Sequence, residues 1–216
     1  MMAGLMMIFL FISVMYMLLV LEDKEKIEKI AVTYEKMQNE LYTDLKDEFS
    51  ADLEKWNAEI NRQTLSIRFK EPDVLFKRGS SKVEENFLLI LDDFFPRYIK
   101  ILTKGKYIND IEEIRIEGHT SSEWQNGIKK VDAYIHNMHL SQSRTRSVLD
   151  HILHMKMIEN TNYYYWLKER ITANGLSSSK LIFDENGNED KIASRRVEFR
   201  VRTDAERRIV EIIKRS

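Results

Sequence analysis

Five histidines, His119, His136, His139, His151 and His154, are the side chains here with the broadest chemical repertoire. His136 and His139, and again His151 and His154, stand three residues apart, a spacing that on a helix could serve a metal ion. No cysteine is present to join them, and the acidic residues do not stand at a ligand spacing. No metal site and no cofactor is therefore expected. The lack of cysteine also excludes a disulfide scaffold, thiol catalysis and a zinc–thiolate centre. No nucleophile with its base and orienting group, no phosphate-binding loop and no carboxylate pair stands out. The chain is not read as an enzyme, with a metal-dependent envelope enzyme as a distant alternative. Arg195 and Arg196 precede an alternating pattern, which favours packing along a sheet, with one of the pair supporting a pocket. Lys plus Arg is 34 against 35 for Asp plus Glu. That balance gives no basic field to draw a nucleic acid, so no nucleic-acid partner is expected.

The elements that must position these residues follow from periodicity. Leu65, Ile67 and Phe69 alternate with polar residues, as in a half-buried strand. Pro72 bends the chain, Val74 to Phe76 read as resuming the strand, and Gly79 marks a turn. Ser81 with Glu84 has the form of a capping box. The helix it opens would bury Val83, Phe87, Leu88, Leu91, Phe94, Phe95, Tyr98 and Leu102, with a bend near Pro96. Ile114 and Ile116 face inward from a strand ending at Glu117. A polar turn and a loop follow, then a helix from Ser141 to about Met155 with Val148, Leu149, Ile152 and Leu153 as its stripe. The stretch "NYYYWLKERI" reads as a short helix, "TANGLSSSK" as irregular and "DENGNED" as a turn. Val197, Phe199 and Val201 alternate inward on a last strand. The order β-α-β-α-(α)-β predicts an α+β fold, a mixed sheet with helices on one face.

Two further segments precede this domain. Residues 1–21 carry no charge, and about 20 apolar residues span roughly 30 Å of hydrocarbon. No basic residue precedes the run and no small-x-small site follows it, so an uncleaved transmembrane helix is expected rather than a signal peptide. Beyond it, Ile27, Ile30, Tyr34, Met37, Leu41, Leu45, Phe49, Leu53, Trp56 and Ile60 recur at a mean of about 3.67 residues, the value of an eleven-residue repeat. Residues 22–62 are thus expected to form a nearly straight helical linker. A narrow stripe on a projecting helix needs a partner, and a parallel homodimer is the economical one; packing back on the domain is the alternative. The expected division is 1–21 membrane helix, 22–62 linker, 64–203 domain and 204–216 tail helix.

Three motifs, "EGHT" at 117–120, "N-x-x-L-S-x-x-R" at 137–144 and "RRVEF" at 195–199, follow one another in an order and spacing that resembles the OmpA-like peptidoglycan-binding domain. An OmpA-like domain behind one membrane helix resembles the MotB-like subunits of ion-driven stators. The N-terminal "MAGLMMIFLF" and the turn "GHTSSEW" look more like the ZorB-like group, from the Zorya anti-phage defence system, than like a flagellar stator.

The resemblance implies a site. Arg144 would bind the carboxylate of a diacid-amine residue in the peptidoglycan stem, since a guanidinium fork suits a carboxylate and a helix start favours an anion. Asn137 and Leu140 would shape the loop above it, with Thr120 and Arg196 beside the pocket. The family usually has Asp after "GHT", for the ligand ammonium, and Tyr before the loop Asn; here these are Ser121 and His136. Ser121 supplies no charge, so amine recognition would shift to Glu117, Glu123 or Asp132. Stator subunits of this kind also carry a membrane Asp that binds the driving ion, and residues 1–21 hold none. The pattern puts that Asp one residue before Met1, so translation is expected to start upstream, and as written the chain should not conduct protons. Ser13 and Tyr16 are the polar side chains left within the run, assisting helix packing or lining an ion pathway. The implied partners are MotA-like (ZorA-like) membrane subunits, peptidoglycan and a second copy, in the bacterial inner membrane with the C-terminal domain in the periplasm. A flagellar MotB-type subunit and a structural wall tether without ion conduction are the alternatives.

Overall fold

The computed structural model describes residues 2–70, 75–125, 127–159, 163–204, 210 and 214. The first element is one helix, α1 (Met2–Leu53). From Leu5 to Leu21 its large apolar side chains are all exposed. Leaving each such side chain in water costs roughly 1.5–3 kcal/mol, so this surface belongs in an apolar medium. Among the described residues this is the one helix long and apolar enough to cross a membrane.

The apolar stripe of α1 has two fates. Leu41, Leu45 and Phe49 are fully buried in the core of the domain, whereas Ile27, Ile30, Tyr34 and Met37 are half-buried. The second half of the stripe therefore packs back on the domain. The helix also ends earlier than its periodicity suggests. Trp56 lies in a turn and Ile60 on the first strand, β1 (Ala58–Asn61). Both keep the stripe's apolar character because both still face the core.

Strand β1 pairs antiparallel with β2 (Ser66–Phe69). The side chain of Asn61 accepts from the backbone N–H groups of Gln63 and Thr64 at 2.9 and 3.0 Å, an Asx turn that reverses the chain between them. Helix α2 (Glu85–Leu102) runs through Pro96. Its first residue is preceded by Glu84, whose side chain makes no cap, so the capping box expected at Ser81 does not form. Strand β3 (Ile111–His119) extends two residues beyond Glu117. Helix α3 (Lys130–Leu153) opens eleven residues before Ser141, and the expected loop is its first half. Helices α4 (Lys156–Glu159) and α5 (Tyr164–Arg170) lead into β4 (Ile171–Gly175), a strand within the stretch expected to be irregular. A short α6 (Lys191–Ser194), capped by Asp190, precedes β5 (Arg196–Thr203). The expectations for Pro72, Val74 and most of the 204–216 tail helix lie outside the described residues.

The sheet order is β1-β2-β5-β3-β4, with β3 and β4 parallel and every other pair antiparallel. This is the mixed sheet of an α+β fold. Ile67, Phe69, Ile114, Ile116, Val197, Phe199 and Val201 point to the helices and are buried. Phe94 of α2 lies 5.2 Å from Phe69, 5.1 Å from Phe199 and 5.2 Å from Phe49 of α1, so one aromatic cluster joins both helices to the sheet. Arg97 ties the same helices at the surface, donating to Glu48 and Asp52 of α1 with its guanidinium over the Phe49 ring.

Candidate functional site

The site forms where β3 ends against α3. Thr120 donates its backbone N–H to the carbonyl of Ser177 at 2.9 Å. Ser177 in turn donates its N–H to Ser141 Oγ and its hydroxyl to the carbonyl of Tyr134. Fully buried, with a positive φ of 53°, Ser177 thus ties the ends of β3 and β4 to α3. Asn137 is buried on α3, and its amide donates to the carbonyls of Ser121 and Glu123 at 3.2 and 3.1 Å, fixing the turn after β3. The expected loop-shaping role of Asn137 is thereby served from a helix.

These elements enclose a cleft of about 490 Å³ lined by Thr120, Ser121, Asn137, Leu140 and Arg144. Five of the seven expected wall-binding residues are therefore brought together. Arg144 is 7% exposed and lies fourteen residues into α3, so the helix-start argument made for it does not apply. It is held instead by the loop before α2. Its Nε donates to the carbonyl of Ser80 at 2.8 Å and its Nη2 to that of Lys77 at 3.2 Å. Its guanidinium lies 4.8 Å from the Phe76 ring centre.

The other two expected residues stand elsewhere. His136 is exposed and stacks at 5.2 Å on Trp124, which lines the cleft. Arg196 does not line the cleft. It is buried, donating to Glu198 at 2.5 Å and to the carbonyls of Lys180 and Ser194. Arg195 lines the cleft in its place, because one step along the chain at a strand start turns the side chain to the other side. Of the acids named for amine recognition, Glu123 lines the cleft; Glu117 and Asp132 do not. Glu123 is paired with Lys191, which holds its carboxylate below the ordinary range. The sequence reading missed Arg78, Gly79, Trp124 and Gln125 as lining residues. The aromatic Trp124 in an otherwise polar turn was the available signal. Ser13 and Tyr16 lie exposed on the apolar part of α1.

On the sheet face away from the helices, Glu117, His119 and Glu198 form a buried cluster whose ligand atoms lie within 4.8 Å of one another. The metal question dismissed from sequence thus returns in geometry. Its charge is already balanced without an ion, because Arg196 and Arg68 both reach Glu198, at 2.5 and 2.9 Å. Burial would raise the Glu198 carboxyl, but the hydrogen bond from Arg196 and the charges of Arg196 and Arg68 hold it at about 2, against 4.5 ordinarily. Burial also lowers His119 below its ordinary 6.5, against the pull of Glu117.

Both shifts work the same way with pH. His119 takes up a proton more readily when unfolded, so stability is lost as pH falls through its unfolded value near 6.5. Glu198 contributes stability that is full above 4.5 and is lost as pH falls towards about 2. Between pH 5 and 3 the carboxylate step should be worth about 2 kcal/mol, and Glu198→Gln should flatten it. Denaturant midpoints at about pH 7, 5 and 3 check this; an unaltered slope in the variant would contradict it.

No protein-family model matches the chain. It is 50% identical over 212 residues to Zorya protein ZorB of Escherichia coli, a match covering 98% of this chain and 88% of that protein. Among solved structures it is similar to the crystal structure of a putative MotB like protein from Desulfovibrio vulgaris, with a TM-score of 0.51 and 22% identity. That likeness covers 77% of this chain and 91% of the other, and it concerns the fold.

Proposed function

Because this chain belongs to the ZorB family, we propose that it is the wall-anchoring, membrane-embedded subunit of a Zorya anti-phage assembly. In this reading the apolar part of α1 crosses the inner membrane once and the α+β domain lies in the periplasm. The cleft at the end of β3 binds the peptide stem of peptidoglycan, with Arg144 on a ligand carboxylate. Thr120, Ser121, Asn137 and Leu140 shape the space around that carboxylate.

The observation that carries the reading is the convergence of these five residues on one cleft, with a buried arginine among them. A buried guanidinium is held in place at a cost, and its use in binding a planar anion gives it a role beyond packing. Membrane partners of the MotA-like (ZorA-like) kind would surround the apolar segment, with Ser13 and Tyr16 at the helix contacts or the ion pathway. A second copy would pair through the half-buried residues of α1 from Ile27 to Tyr34, since from Met37 onward the stripe packs within the domain. The mechanism is then ion flow turning the surrounding subunits around an anchored dimer.

The test is sedimentation of the full chain, in detergent, with purified sacculi. Saturable co-sedimentation competed by soluble stem peptides is expected. No co-sedimentation, or a level that the peptides do not lower, would overturn the wall-binding reading.

A further inference from the structure

We propose that Trp124 is a sugar subsite: an indole platform on the cleft wall that takes a pyranose ring of the glycan to which a bound stem is attached. This inference rests on the wall-binding reading of the same cleft and names a second chemical class that the site recognises.

Trp124 stands apart from the other two tryptophans. Trp56 is buried in the core, and Trp166 packs against that core and donates its indole N–H to the carbonyl of Ile108 at 3.1 Å. Trp124 belongs to neither the core nor its margin, and its indole N–H has no hydrogen-bond partner among the described residues. It is half-buried, lines the cleft, and has its ring contact with His136, within 16° of parallel. A large apolar ring left partly in water contributes less to folding than a buried one. The turn that carries it is nonetheless held at each of the three preceding residues. Asn137 bonds the carbonyls of Ser121 and Glu123, Ser122 donates its N–H to Glu189 at 2.8 Å, and Glu123 pairs with Lys191. A ring fixed in place outside the core is a preorganised contact surface, and tryptophan is a residue that such surfaces favour.

The chemistry of the surface selects the occupant. A pyranose has a broad face of C–H bonds and a rim of hydroxyl and amide groups. The indole offers a flat apolar face to the first and an N–H at its edge to the second. Gln125, exposed on the same cleft, adds an amide that both donates and accepts. A stem peptide held in the cleft is covalently tied to its glycan, so a sugar reaches the platform at high effective concentration.

The experiment titrates the full chain, in a detergent without a sugar headgroup, with two probes: the free stem peptide and the same stem carrying its disaccharide. The disaccharide form is expected to bind about five- to tenfold more tightly. Trp124→Ala should bring that ratio close to one, and Trp124→Phe should keep most of it. In the parent complex the sugar ring protons should shift upfield in NMR spectra, as protons over an aromatic face do, which a purely structural role for Trp124 would not produce. Equal affinities in the parent, a ratio that Trp124→Ala leaves unchanged, or sugar protons that do not shift would each overturn the inference. A Trp124→Ala loss equal for both probes would assign the indole to the peptide and overturn it too. Stem binding retained alongside any of those results leaves the wall-binding reading standing and removes this inference alone, whereas no binding of either probe removes both.

Discussion

Arg144→Ala is expected to lose sacculus binding by about a hundredfold or more, the largest effect of any single change at the cleft. A charge-assisted pair with a carboxylate in a partly dry site is worth about 2–5 kcal/mol on truncation. The loss has a second source. Arg144 satisfies the backbone carbonyls of Ser80 and Lys77 and lies over Phe76, so the alanine variant also loosens the loop that carries Arg78 and Gly79. Arg144→Lys separates the two. It keeps a positive charge but cannot bond both carbonyls and cover the ring, so it should bind at an intermediate level. Co-sedimentation with sacculi and a thermal midpoint, measured side by side, check the series. A folded alanine variant that binds as the parent does would remove Arg144 from the site.

Gly175→Ala is expected to destabilise the domain by about 3 kcal/mol or more, beyond the usual range for a single added methyl. A methyl group at Gly175 would lie 2.7 Å from Gln142 Cα and closer still to the Gln142 backbone nitrogen. Backbone cannot swing aside as a side chain can, so α3 must lift from β4. Gly118→Ala should cost less, because the first atom it meets is the Thr145 methyl at 2.7 Å, followed by the Ser141 carbonyl at 3.0 Å. Since α3 carries Asn137, Leu140 and Arg144, the Gly175 variant should also weaken wall binding. Urea unfolding of the full chain gives the energies; a cost below about 1 kcal/mol would mean that the two elements are not held this closely.

These two glycines also explain where pattern reading succeeded and where it failed. Strand β5 was legible because Val197, Phe199 and Val201 alternate with charges, and its core face is apolar. Strand β4 was not. Its close approach to α3 requires Gly175 and leaves no apolar alternation in "ITANG". The first half of α3 was hidden for the opposite reason. Val131 and Ile135 are exposed there while Asn137 is buried, inverting the usual stripe. The polar residue faces inward because it bonds the turn after β3, so the site itself masks the helix that builds it. The five cleft residues were found through motif order, which depends on chain spacing rather than on the helix boundary. Arg195 was passed over for Arg196 because the alternation does not tell which of two adjacent arginines begins the strand.

The continuity of α1 has a mechanical consequence. Its 52 residues make a rod of about 78 Å at 1.5 Å each. No loop separates its apolar end from Leu41, where it locks into the domain. The domain's Asp110, Thr203 and Asp204 already share a pocket with the helix from Lys29 to Met37, so the seven residues from 22 to 28 set a stand-off of about 10 Å between the bilayer edge and the domain. A flexible tether would dissipate a twist applied at one end. A helix clamped by Leu41, Leu45 and Phe49 passes it on, so the domain and the membrane segment turn, or resist turning, as one shaft.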